Sequence, residues 1–403
     1  MFMYDVIIIG AGISGLYAAY KIKKQHPDIK YIILEKNPRK EIGGRVATEM
    51  FYDVRISLGA GIGRKDKNPL LLSLCADLGI ELKPSHKAAI DYAPSVRDSL
   101  DQNPRTFYLN TFKDLRRVYR SDPEKARKLT FRQFATKVLG AAQYNTFVIV
   151  SGYSDYENAD VYETLYNYSL DDNASGWPQV VIPWSDLINA LVQAVGPINI
   201  RASTEVQTIT AIEHGYKLHT ESGGEITGHQ VVVATTIDAT KRLIPKDVYD
   251  NIHGQPFLRV YAKFDKRSAE ILRKYIHSYT AVTGPLQKII PISPDKGVYM
   301  IAYSDNASAL QLRSTSKERF ASMVEEALEI PSDTNLRILG IREIFWNMGT
   351  HYFGPLPSRY KNRREFLQEA QHPMPGITVI GEAVSTYQGW VEGALESVHQ
   401  TLL

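Results

Sequence analysis

Val6-Ile7-Ile8-Ile9-Gly10-Ala11-Gly12-Ile13-Ser14-Gly15-Leu16-Tyr17-Ala18-Ala19 decides how the rest of the chain is read. Four consecutive β-branched residues suit a strand of a parallel sheet, buried on both faces. Gly10, Gly12 and Gly15 follow as G-x-G-x-x-G, and Leu16 to Ile22 continues as a helix with Ala18 and Ala19 small enough to pack closely on the strand. In this strand-turn-helix order the first glycine permits the tight turn and the second lets the backbone approach a pyrophosphate. The helix N-terminus then presents free N–H groups and a partial positive charge to it. Tyr31 to Leu34 reads as a second strand ending at Glu35, 20 residues after Gly15, where a carboxylate reaches both hydroxyls of a ribose. The stretch is a βαβ unit for a dinucleotide.

The chain of 403 residues is 44% hydrophobic, enough for two or three domain-sized units and against disorder. Lys and Arg number 47 against 44 Asp and Glu, a net charge of +3 that gives no basis for nucleic acid as a partner. The single cysteine, Cys75, excludes an internal disulfide and a cysteine-rich metal site. No apolar run reaches the roughly 18 residues of a membrane span. Tyr4 to Ile9 lacks the basic flank of a signal peptide. The expectation is an intracellular, cytoplasmic protein without a metal; its oligomeric state is not readable.

Gly43-Gly44-Arg45 and the apolar stretch ending in Leu58-Gly59-Ala60-Gly61-Ile62 narrow the cofactor. They resemble the FAD-binding signature of glutathione-reductase-like flavoproteins, and among these the flavin-containing amine oxidases. Seven residues separate Glu35 from Gly43, about two more than the family pattern, which reads as a longer surface turn. The resemblance implies an α/β fold: a Rossmann-like FAD-binding domain plus an α+β substrate domain with a mixed sheet and a helical lobe. The FAD-binding segments are expected at 1–80, 196–245 and 371–403, the helical lobe at 81–195 and the substrate sheet at 246–370. It places Gly10, Gly12, Ile13, Ser14, Gly15, Glu35 and Lys36 along the adenosine and pyrophosphate. Gly43, Gly44 and Arg45 would follow the ribityl chain, and Gly59, Ala60, Gly61 and Ile62 the ring. Val206, Ala234 and Thr235 complete the second segment.

Near the C-terminus Gly381-Glu382 and Gly389-Trp390-Val391-Glu392-Gly393 match the family's closing motif. There the Gly381-Glu382 pair touches the cofactor, and the Gly389-Trp390 step opens a helix under the flavin with free N–H groups near Val391. Glu392 is either part of that arrangement or an ordinary first-turn acid. Trp390 would be one wall of an aromatic cage; Tyr352 is the first choice for the other and His351 the second, on a turn Gly349 to Phe353. Where the family carries a lysine near the flavin this chain has Arg259, with Lys263 the alternative if the register slips by four. Arginine holds its proton and serves poorly as a base.

Strands are expected at Ile198–Ile200 and Leu258–Phe264, and helices at Leu70–Leu78, Phe131–Leu139 and Leu187–Val195. Residues 84–175 read as a tyrosine-rich helical lobe. Asp155, Glu157, Asp160 and Glu163 read as a solvated face, with attraction of a polyamine as the alternative. The resemblance implies noncovalent FAD, since Cys75 is far from the C-terminal segment, a small amine substrate and O2 as acceptor. A desaturase-like enzyme on a non-amine substrate and a flavin-bound interaction module without activity remain open.

Overall fold

The computed structural model describes residues 3–83, 86–168 and 176–402; the remaining positions of the expected domains lie outside the described residues. Two large sheets organise the chain. In the first, Tyr4–Ile9 is central, with Glu225–Val233 on one side and Tyr31–Leu34 on the other, both parallel to it. Ile200–Arg201 extends one edge, Ile377–Val379 pairs with Glu225–Val233 in parallel, and Val206–Ile212 with Gly215–Thr220 forms an antiparallel flap. Val6 to Ile9 is buried on both faces, as a central parallel strand requires. Ile7 and Ile9 enter one core with Val231, Val233, Ile377 and Val379; Ile8 enters the other with Leu16, Ala18 and Ala19.

Helix Ile13–Gln25 packs against Trp184–Val195 and Val391–Leu402, burying Leu187, Leu191, Leu395 and Val398 in the same core. Trp184–Val195, expected at the end of the helical lobe, therefore covers the first sheet. Helix Arg363–Gln371 does likewise: Phe366, Leu367 and Ala370 join the core of Ile7 and Ile9, not that of the second sheet. Of the expected strand Ile198–Ile200 only Ile200 is extended, in the strand Ile200–Arg201, because Pro197 starts a 3-10 turn.

The second sheet runs Ile338–Phe353, Ile252–Phe264, Val298–Asp305, Lys288–Ser293, Tyr279–Ala281 and Ile90–Tyr92, antiparallel except for its last pair. Period-two alternation divides Ile252–Phe264. Leu258, Val260, Ala262 and Phe264 enter an apolar core with Phe320 and Val324 of helix Lys317–Leu328. Phe257, Arg259 and Tyr261 take the other face. Beside that face stands the helical lobe, which includes Pro104–Ser121, Phe131–Leu139 and Ala141–Ser151. Its Tyr108, Phe131, Phe147 and Tyr156 are fully buried, each contributing about 1.5–3 kcal/mol by area removed from water. Thr130 and Gln133 form a capping box at Phe131–Leu139.

Candidate functional site

At the carboxyl end of Tyr4–Ile9 the glycines are fixed by close approach. A Cβ on Gly10, whose φ is +105°, would stand 2.4 Å from the Ala234 carbonyl oxygen, and one on Gly15 2.0 Å from the Gly10 oxygen. Gly12 differs, since nothing lies within 4 Å of its Cβ position, and the nearest atom to that of Gly44 is Gly12 Cα at 3.9 Å. Space above the N-terminus of Ile13–Gln25 is thus kept clear, and Gly12 as N-cap brings no side chain to occupy its free N–H groups. Glu35 is buried at the end of its strand, accepting from Ala11 N at 2.8 Å and Asn37 N at 2.9 Å. Thr204 N donates to the Glu35 carbonyl, which brings Val206 alongside. Lys36 is exposed, pointing away.

Glu382 is the knot of the C-terminal part. It accepts from His351 N at 2.9 Å, His351 Nδ1 at 2.6 Å, Gly389 N at 2.7 Å and Arg45 Nη1 at 3.2 Å. Burial opposes its charge, but His351, Arg45 and the Gly389 N–H outweigh burial and hold the carboxyl well below its usual range. Arg45 also donates to the Gly349 carbonyl at 2.9 Å. Gly381, at φ +122°, lies against Ser14 Oγ and donates its N–H to Ser397. The first and last segments of the sequence therefore meet here.

Glu392 faces neither its own helix alone nor open solvent. Its oxygens accept from Leu70 N at 2.9 Å and Leu71 N at 3.0 Å, capping helix Pro69–Asp77. Asn68, the N-cap residue of that helix, makes no side-chain cap and accepts at its Oδ1 from Arg64 N instead.

Beyond the loop Gly59–Gly61 lies a chamber of aromatic side chains. Trp390 stacks with Tyr387 at 5.9 Å between centroids, and the Arg64 guanidinium stands 4.1 Å from its ring and 5.4 Å from that of Trp177. Trp177 meets Tyr279 at 5.6 Å. On the second sheet Tyr303 meets Phe257 at 4.7 Å and Tyr153 at 6.0 Å. Arg259 lies 5.1 Å from the Tyr303 ring, and Lys288 Nζ lies 4.8 Å from it and against Tyr153. Burial pushes Lys288 well below its ordinary value, against the pull of Asp305 and Asp155. Asp305 accepts from Ser154 and Gln287, and Asp155 from the Tyr168 hydroxyl. Burial, followed by the charge of Asp305, raises Asp155 to about 7.

The match to the flavin containing amine oxidoreductases extends over residues 13–400. The chain belongs to this family. A probable flavin-containing monoamine oxidase A of Dictyostelium discoideum is 32% identical over 84 residues, 21% of this chain and 17% of that protein. A coproporphyrinogen III oxidase of Staphylococcus aureus is 38% identical over 79 residues, 19% of this chain and 16% of that protein. These matches span under a fifth of each relative's length. Solved structures extend the likeness in fold: cyclohexylamine oxidase from Brevibacterium oxydans at TM-score 0.77, 18% identity, and putrescine oxidase bound to putrescine at TM-score 0.75, 14% identity. Each covers 99% of this chain and 98% of its own.

The residues present fit the family's cofactor, FAD. The open space at the Cβ position of Gly12, the helix N-terminus without a side-chain cap and the Glu35 carboxylate are the features its diphosphate and ribose need. Cys75 is fully buried in Pro69–Asp77, in keeping with a cofactor held without a cysteine link. Among the described residues no three His, Cys, Asp or Glu gather as metal ligands, and no helix is long and apolar enough to cross a membrane.

Several expected roles shift in this amine oxidoreductase. Gly349 to Phe353 is no turn but the end of a continuous strand, Ile338–Phe353, paired as far as Ile252↔Phe353. His351 is consequently locked inside: Nδ1 faces Glu382, and Nε2 accepts from Ile237 N at 3.2 Å, which puts its proton on Nδ1. It lines no cage. Tyr352 stacks on its cross-strand partner His253 at 5.1 Å, and the ring contacts of Trp390 among the described residues are Tyr387 and Arg64. Arg259 is in place, its Nη2 3.5 Å from the Cβ position of Gly61. Lys263 is not, since its ammonium reaches the Lys296 carbonyl at the exposed end of the strand. Asp155, Glu157, Asp160 and Glu163 form no solvated face: Glu157 binds Arg132 and Tyr144, while Asp160 and Glu163 bind Arg363. Arg64, Trp177, Lys288, Tyr303 and Asp305 went unread, although Arg64 follows the glycine loop directly.

Proposed function

We propose that the protein oxidises a small amine at the carbon next to nitrogen, with release of the imine for hydrolysis and reduction of O2 to hydrogen peroxide. FAD, when bound, supplies the acceptor for the hydride. Gly12 to Gly15, Glu35, Arg45 and Gly381 would hold it, with Val206, Ala234 and Thr235 along its edge. One observation carries the reading: the glycine cradle and the aromatic chamber share a wall. A Cβ on Gly59 would stand 2.0 Å from the Arg45 oxygen on the cradle side, while Gly61 lies against Arg259 on the chamber side.

The chain's contribution is positioning and charge. Trp390, Trp177, Tyr279, Tyr303 and Phe257 enclose the reacting carbon and exclude water. Amines oxidise as free bases, and Lys288, whose burial favours its neutral form, is placed to take the ammonium proton. Arg259 keeps its own proton and acts as a fixed charge, not as a base. The free N–H groups at the start of Val391–Leu402 add partial positive charge beside the cofactor.

The test is the absorption spectrum of the purified protein during anaerobic addition of polyamines, monoamines and amino acids. Bleaching of the oxidised flavin band by one class, recovered in air with peroxide released, is the expected outcome. The short match to a coproporphyrinogen III oxidase favours a second reading, dehydrogenation of a non-amine substrate. A flavin that none of the nitrogen compounds reduces turns the assignment to that reading.

A further inference from the structure

Among the described residues the charges at Arg259 do not suit a polyamine. Arg259 is 5% exposed, and its Nε and Nη1 have no hydrogen-bond partner among the described residues. Its neighbours offer no counter-ion: Tyr261 donates its hydroxyl to the Ser57 carbonyl, and burial raises Tyr261, Tyr279 and Tyr303 so that they stay neutral. Among the described residues no carboxylate forms an ion pair with it: Asp305 is turned to Ser154 and Gln287 and Asp155 to Tyr168. A second guanidinium, Arg64, lies over Trp390. A buried guanidinium with open N–H groups calls for an anion presenting two oxygens in its plane.

The surroundings of Lys288 differ in kind. Lys288 Nζ and the Arg259 guanidinium stand 4.8 Å and 5.1 Å from the same Tyr303 ring, but Lys288 has the charges of Asp155 and Asp305 beside it. Among the described residues the charges are therefore unevenly matched, with carboxylates beside the amine of Lys288 and none paired with the guanidinium of Arg259.

We propose that Arg259 is the carboxylate-binding residue of the chamber and that the substrate is an amine carrying a carboxylate, an amino acid. The proposal rests on the amine-oxidation reading for the substrate but not for the anion subsite. Arg259 Nε and Nη1 receive the carboxylate oxygens, and the amino group lies towards Lys288 and Asp155. A bare diamine would place its second cation against Arg259, whose Nε and Nη1 have no acceptor among the described residues.

The experiment uses the FAD-loaded protein. Benzoate and its neutral isostere benzamide are titrated while the flavin bands and the thermal midpoint are followed. Benzoate is expected to shift both, and benzamide to bind at least about 30-fold more weakly. Arg259→Met should lose benzoate binding by a similar factor while its ligand-free midpoint holds or rises, since an unpaired buried charge has been removed. Arg259→Lys, which keeps the charge without the fork, should retain weakened binding and covers the case in which the methionine variant does not fold. Benzoate binding no better than benzamide, or equal in Arg259→Met, overturns the subsite. So does loss of FAD from both variants, which would assign Arg259 to the cofactor.

Anaerobic reduction by leucine against isopentylamine, the same skeleton without the carboxylate, then tests the substrate. Faster reduction by leucine, with the preference abolished in Arg259→Met, supports the proposal; equal or faster reduction by the bare amine refutes it. Arg259-dependent benzoate binding without reduction by either upholds the subsite and sinks the amine-oxidation reading instead.

Discussion

At Glu382 one buried carboxylate receives four donors from three segments that are distant in sequence. Glu382→Ala leaves the His351 and Gly389 N–H groups without their acceptor and Arg45 with the Gly349 carbonyl in place of a counter-charge, and the expected loss is about 3–5 kcal/mol in urea unfolding, with FAD retained less well on gel filtration. A loss below about 1 kcal/mol would show the knot to be ornamental. Its depressed carboxyl also sets a sign: the stability it gives is present above the ordinary carboxylate range and is lost as pH falls below it. Asp155 works the other way. Burial, and then Asp305, raises it to about 7, so between about pH 4 and 7 the folded state holds a proton that the unfolded chain has released. Stability contributed by this group therefore falls as pH rises through that window. Asp155→Asn, neutral throughout, is expected to remove that fall, read as thermal midpoints across pH 4 to 8 beside the parent protein. Parallel curves for the two would refute the buried-acid account.

Among the elements, helix Pro69–Asp77 shows a cap supplied from outside. Asn68 serves Arg64 N, and Glu392, 322 residues beyond Leu70, accepts the first-turn N–H groups in its stead. Glu392→Ala is expected to cost about 1 kcal/mol and to loosen the amides of Leu70 and Leu71 in hydrogen exchange, sparing those of Val6 to Ile9. Unchanged exchange at Leu70 and Leu71 would rule the cap out. This substitution also marks where the sequence stops being legible. The strand-turn-helix around Gly10 to Gly15 and the Gly389-Trp390 step are local patterns, each readable because its residues are neighbours in the chain. Glu392 reads from sequence either as part of the arrangement under the flavin or as a first-turn acid of its own helix, since nothing in sequence spacing links it to Leu70. Loss of legibility was sharper along Ile338–Phe353, where Gly349 and Thr350 looked like turn residues. Pairing with Ile252–Phe264, with an irregularity between Gln255 and Phe257, keeps them extended and sends His351 inward. The chamber was the least legible part: Trp177, Tyr303 and Lys288 come from three separate strands, and Lys288 opens a run of apolar residues without any signal that its ammonium is buried.

The two sheets are not independent bodies joined by a linker. Strand Ile252–Phe264 begins in the core of the first sheet, where Ile252 packs with Ile7 and Val231, and ends in the core of the second, where Phe264 packs with Leu272 and Phe320. Its partner Ile338–Phe353 makes the same passage in reverse, from Ile338 in the second core to Phe353 in the first. Separating the sheets would break these strands apart, not merely undock two surfaces, so the cores are expected to unfold together. FAD binds the folded chain and not the unfolded one, and at 100 times its dissociation constant it adds about 2.7 kcal/mol. Its removal should therefore lower the midpoint of the whole transition. Calorimetry of the FAD-loaded and FAD-stripped protein is expected to show one transition in each, displaced downward by stripping and restored by added FAD. Two transitions, of which only one responds to FAD, would mean that the long strands do not couple the cores and that the substrate sheet stands on its own.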